Sequence, residues 1–178
     1  MRPGTSQMQV SFPRPGRALI GLMVALVVCY VFELLFLRAN QTWVAELYLR
    51  PSAVFESGKV WQLATYIWFH RPDTAWHLLN NLLWLYLFGT KLEQWWGTKR
   101  FLVAYGVFAL GGGVLTLIVG LLARTSVFGP LLPSFWTNPH LGASGAVIGM
   151  TIAFGLTFAN EEMGMLLLGR MKGKTLVL

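Results

Sequence analysis

The chain alternates between long apolar blocks and polar ones. Residues 18–37 form the first block. It runs for about 20 residues, the length of a full membrane span, with Glu33 as its ionisable interruption. From residue 38 to 75 the pattern is lost. Arg38, Glu46, Arg50, Glu56, Lys59, Arg71 and Asp73 alternate there with Trp43, Trp61, Tyr66 and Trp68. Tryptophan and tyrosine favour the membrane–water interface, so the spacing predicts an ordered loop lying partly in that interface, with short helical pieces. Apolar pattern resumes over residues 76–89, breaks at a charged turn over 91–100, and returns over 101–123. A loop over 124–141 carries Pro130, Pro133 and Pro139, and a fourth block fills 142–159. Arg170, Lys172 and Lys174 follow a further short apolar run, and residues 175–178 read as the first turn of another span, too short to cross a bilayer. The fold class predicted is an all-α membrane protein. It is a helical bundle of about four complete spans plus the start of a fifth, with an interfacial outer loop after the first.

Composition sharpens this picture. Of 178 residues, 55% are hydrophobic and 12% charged, against about 25% charged in soluble domains. Residues 1–17 are polar and hold Pro3, Pro13 and Pro15. They read as a flexible cytoplasmic tail, and residues 18–178 as one membrane domain. The first block is too long for a signal-peptide core. The net charge of +7 does not indicate nucleic acid, because the basic residues sit between apolar blocks rather than in a stripe. They act as topology signals. With the N-terminus inside, inner segments hold Arg2, Arg14, Arg17, Lys91, Lys99, Arg100, Arg170, Lys172 and Lys174, and outer loops hold Arg38, Arg50, Lys59, Arg71 and Arg124. The bias favours that orientation. The single cysteine, Cys29, excludes an internal disulfide and reads as a small packing residue. No Cys/His spacing suits a metal, and no cofactor is implied. A bacterial inner membrane fits these features.

The candidate chemistry lies where polar side chains enter the spans. In the stretch from His140 to Gly149, Ser144 stands between Gly142 and Gly145, and Gly149 and Ala153 extend a small face at four-residue spacing. Such a face admits a close neighbour helix. His77 and Asn81 are four apart and share a helix face. In the N-inside topology they enter from the same side as Ser144. An imidazole N–H and an amide N–H suit the oxyanion of acyl transfer, and a serine needs a base to become a nucleophile. Interhelical hydrogen bonding is the plainer role for His77 and Asn81. His70 and His140 lie in loops and reach Ser144 only by tertiary folding. Glu33, near a span end, is expected to reach interfacial water or a neighbouring helix.

Taken together, these residues resemble the rhomboid intramembrane serine proteases. The motifs stand in family order: Val60-Trp61-Gln62-Leu63-Ala64-Thr65-Tyr66, Phe69-His70, His77-Leu78-Leu79-Asn80-Asn81, Phe88-Gly89 with Leu92-Glu93 and Trp96-Gly97, and Gly142-Ala143-Ser144-Gly145. The resemblance covers roughly residues 18–178. It implies Ser144 as nucleophile, His77 and Asn81 lining the oxyanion hole, and His70, Gly142 and Gly145 supporting the site. Gln62 stands where many members carry arginine. The family's base is a histidine on a sixth span. The chain ends where the fifth would begin and has no histidine after His140, so the last two spans are expected to be missing and the small face of the fourth unpartnered. Implied partners are the lipid bilayer and single-span membrane protein substrates, cleaved by serine endopeptidase chemistry. The rival expectations are a catalytically inactive rhomboid-like binder of transmembrane helices and a four-helix scaffold with no site. The glycine-rich spans serve self-association or internal packing equally.

Overall fold

The computed structural model describes residues 14–160, 162–165 and 169–176; most of the expected N-terminal tail lies outside them. Helix α1 spans Arg17–Arg38. The first long loop follows as a 3-10 turn at Thr42–Leu47, α2 at Pro51–Ser57, α3 at Gln62–Thr65 and a second 3-10 turn at Tyr66–Trp68. Helix α4 spans Trp76–Trp96, α5 Thr98–Leu122 and α6 Ser144–Thr157. Strands β1 (Glu162–Met165) and β2 (Gly169–Lys172) pair antiparallel, with Glu162 opposite Lys172.

Helices α1 and α5 are long and apolar enough to cross a membrane. Their outward faces carry exposed valines, leucines and isoleucines, such as Val24, Val28, Leu35, Val107 and Leu115. Such a surface suits lipid rather than water. Inward, Leu19, Leu26, Leu85, Phe88, Phe101, Met150 and Phe154 form one core. Gly89 lets α1 and α4 approach: a Cβ there would sit 3.2 Å from Leu19 Cδ1.

Two boundaries differ from the sequence expectation. The charged stretch after residue 90 is not a turn; α4 continues through Lys91, Leu92, Glu93 and Gln94 to Trp96. These are good helix formers, and the break falls on Gly97 alone, at φ +78. Glu93 is buried because it caps the first helix: its carboxylate accepts the Ala18 and Leu19 amides at 3.2 and 3.0 Å and the Thr98 hydroxyl at 3.2 Å. The α1 N-terminus otherwise leaves these N–H groups without acceptors. At the other end, the described residues of the expected apolar run and fifth-span start form the β1–β2 ribbon and a 3-10 turn at Gly173–Leu176, and residues 166–168 and 177–178 of those stretches lie outside the described residues.

The small-residue face of α6 is not unpartnered. Gly145 packs on α5, where a Cβ would lie 3.2 Å from Gly112 Cα, and a Cβ on Gly149 would meet Phe108 Cγ at 2.5 Å. The glycines are spent on the α5–α6 contact, which the sequence could not assign.

The long loop between α1 and α4 is tied down by specific bonds. Gln62 is fully buried; its Oε1 accepts the Arg50 amide and its Nε2 donates to the Glu46 carbonyl, both at 3.0 Å. The Thr65 hydroxyl donates to the Leu47 carbonyl at 2.7 Å. Leu49 and His140 exchange backbone bonds at 3.0 and 2.8 Å, so this loop and the one before α6 form a single layer above the helices.

Candidate active site

Helix α6 has 14 residues, about 21 Å at 1.5 Å per residue. A hydrocarbon core is about 30 Å thick, so α6 covers only part of that depth. Its N-terminal end begins at Ser144.

The turn before Ser144 is held by two backbone donors. The Gly142 amide donates to the Tyr66 carbonyl at 3.0 Å. The Ala143 amide donates to His70 Nε2 at 3.4 Å. Gly142 sits at φ +119, and a Cβ there would fall 2.7 Å from His77 Cε1. Only glycine adopts this backbone without strain, and it lets the His77 ring lie directly against the serine turn. The next amides, those of Ser144 and Gly145, open the helix and have no intrahelical acceptor.

His70 is fully buried, and its ring meets that of His77 edge-on with centroids 5.2 Å apart. Burial first, and then the neighbouring His77, push the His70 imidazole down to about 4. It is therefore neutral near pH 7, with a lone pair on Nε2 for the Ala143 amide. Its own amide donates to Glu33 Oε2 at 3.0 Å, and Tyr48 donates its hydroxyl to Glu33 Oε1. Glu33 is thus fully buried against the loop between α1 and α4, not in interfacial water or on a neighbouring helix as expected.

Ser144 and His77 line an open cavity of about 330 Å³ together with Arg71, Tyr66, His140 and Ile148. The expected grouping is only partly direct. Asn81 lies one helical turn below His77, buried, and its Nδ2 donates to the His77 carbonyl at 2.8 Å. That uses one of its two amide hydrogens. His140 lines the cavity, but its Nε2 donates to the Phe135 carbonyl at 3.1 Å. Among the described residues no hydrogen bond joins the Ser144 hydroxyl to an imidazole.

Tyr66 is the residue whose part the sequence did not reveal. Its carbonyl anchors Gly142, and its hydroxyl donates to the Ala109 carbonyl of α5 at 2.7 Å. It wedges the loop against the Gly112–Gly145 crossing, its oxygen 3.1 Å from where a Gly112 Cβ would be. The signal was present only as the last position of the Val60–Tyr66 motif.

Comparison with known proteins gives the family. The family model described as the Rhomboid domain matches residues 57–173. Rhomboid-like protease 3 of Toxoplasma gondii is 26% identical over 106 residues, covering 58% of this chain and 40% of its own length. The mitochondrial RHOMBOID-like protein 12 of Arabidopsis thaliana is 33% identical over 131 residues, covering 72% and 38%. The mitochondrial Rhomboid protein 1 of Saccharomyces cerevisiae is 34% identical over 88 residues, covering 49% and 23%. The chain spans less than half the length of these relatives. The matched segment contains Gln62, His70, His77, Asn81 and Ser144, and with its apolar helices it makes this chain an integral membrane protein of the rhomboid family.

Proposed function

We propose that the protein is an intramembrane serine endopeptidase that cleaves transmembrane segments of single-span membrane proteins. The observation that carries this reading is the shared cavity of Ser144 and His77 at the half-buried start of α6. A substrate backbone unwound into the cavity presents its carbonyl carbon to Ser144 Oγ. Attack forms the Oγ–C bond and moves the carbonyl π electrons onto oxygen. The Ser144 amide, the His77 imidazole N–H and the remaining Asn81 amide hydrogen are the donors for that oxyanion. Each such donor is worth about a hundredfold or more in rate. His70 and Gly142 support the turn, and Gly145 sets the depth of α6 against α5.

The hydroxyl proton needs a base. His70 is committed to Ala143 and His140 to Phe135, so neither takes that role in this proposal. The resemblance assigns it to a histidine on a further span. Ser144, Ile148, Ile152 and Leu156 fall four apart on one stripe of α6, and the three apolar members are exposed. That stripe is the face on which such a span would dock. The N-terminus is proposed to be cytoplasmic and the membrane a bacterial inner membrane.

The test is labelling by a fluorophosphonate probe in liposomes. Labelling that disappears in Ser144→Ala, and falls steeply in His77→Ala and Asn81→Ala, supports the proposal. The rival is a catalytically inactive rhomboid-like binder of transmembrane helices, in which Ser144 needs no imidazole partner. It predicts no labelling, and helix binding that is unchanged by Ser144→Ala.

A further inference from the structure

Glu33 is a buried carboxylate on a membrane helix that the proposed chemistry does not use. Burial of such a group is costly unless its oxygens are hydrogen-bonded, and here each oxygen has one donor, Tyr48 and the His70 amide. The bonds continue past the carboxylate. The same His70 whose amide is held by Glu33 offers Nε2 to the Ala143 amide, and Ala143, fully buried, directly precedes Ser144. The relay therefore runs from α1 through the loop between α1 and α4 to the serine turn. His70 also packs on His77, so its placement bears on both the turn and the imidazole beside it.

We propose that Glu33 is a positioning residue for Ser144: its carboxylate fixes the His70 peptide, and His70 in turn fixes the turn that opens α6. The effect on rate rests on reading Ser144 as the nucleophile; the effect on the turn does not. A glutamine at this position retains the function, because its oxygen accepts the His70 amide and its NH2 donates to the Tyr48 oxygen. An alanine leaves the buried His70 N–H without an acceptor.

Site-resolved amide hydrogen exchange in nanodiscs tests this, on the parent chain, Glu33→Ala, Glu33→Gln and Tyr48→Phe. In Glu33→Ala, exchange is expected to rise roughly tenfold at the amides of both His70 and Ala143, as for loss of one buried hydrogen bond. Amides in the middle of α5 stay unchanged. Glu33→Gln stays near the parent, and Tyr48→Phe falls between. The nitrogen resonances of His70 report the same order, keeping the Nδ1–H form in the parent and Glu33→Gln and losing it in Glu33→Ala. Should Glu33→Ala fail to fold, Tyr48→Phe against Glu33→Gln carries the comparison. Faster exchange confined to His70, with Ala143 unmoved, would make Glu33 a staple of the loop and overturn the proposal. With cleavage measurable, Glu33→Ala lowers kcat with KM little changed and Glu33→Gln restores it. The expected exchange pattern with no cleavage in any variant leaves the positioning role standing and removes the protease reading instead.

Discussion

Adding one methyl group at Gly142 tests the packing of the candidate site most sharply. At φ +119 an alanine there occupies a backbone region that L-residues rarely adopt, at a cost of about 1–3 kcal/mol. Its Cβ would also lie 2.7 Å from His77 Cε1 and 2.9 Å from Nε2. Carbon atoms prefer about 3.5–4.0 Å, so the imidazole or the turn has to yield by about 1 Å. Such overpacking typically adds about 1–3 kcal/mol, and relaxation of the ring recovers part of it. Gly142→Ala is therefore expected to lose about 2–4 kcal/mol of stability. A displacement of about 1 Å at a catalytic group costs on the order of a hundredfold in rate. Thermal or denaturant unfolding in detergent, followed by helical circular dichroism, measures the first effect, and turnover of a labelled single-span substrate the second. Gly106→Ala is the control: it lies within α5 with nothing within 4 Å of the added methyl, so it should be neutral or stabilising by up to about 1 kcal/mol. If Gly142→Ala matched Gly106→Ala in both assays, the close fit of His77 against the serine turn would be refuted.

Other expectations follow from single contacts. Glu93→Ala removes the acceptor from the Ala18 and Leu19 amides and should cost about 2–4 kcal/mol in unfolding experiments, with Glu93→Gln losing less. Tyr66→Phe deletes the bond to the Ala109 carbonyl and should cost about 1 kcal/mol, read as a lowered unfolding midpoint. Because burial holds His70 well below its unfolded value, the unfolded chain binds the extra proton between about pH 6.5 and pH 4. Stability contributed by neutral His70 is then complete above that window and declines as pH falls through it. Unfolding midpoints recorded across the window should show this slope in the parent and a smaller one in His70→Gln.

Much of the architecture was legible because membrane spans announce themselves. The apolar runs behind α1 and α5 are continuous, and the observed helices match them within a few residues. The α4 boundary was misread because Lys91, Glu93 and Gln94 look like a polar turn yet favour helix, and Glu93 is buried by a partner some seventy residues earlier in the chain. No local pattern encodes that distance. His70, His77 and Ser144 could be named from their motifs, but not their arrangement: the His70 contact with Ala143 crosses 73 positions in sequence. The orientation of Asn81 toward its own helix, and the use of Gly145 and Gly149 against α5, are likewise products of tertiary packing. Glu33 gave the right kind of signal, an ionisable residue within a span, though its partners lay in a loop without periodicity.

The most direct test of the central claim is cleavage of a labelled single-span substrate in liposomes. It compares the protein, carrying every residue that its reading frame encodes, with its Ser144→Ala form. The account predicts a cut within or beside the transmembrane segment that the parent makes and Ser144→Ala does not. Equal cleavage by both forms, or none by a well-folded parent, would contradict it.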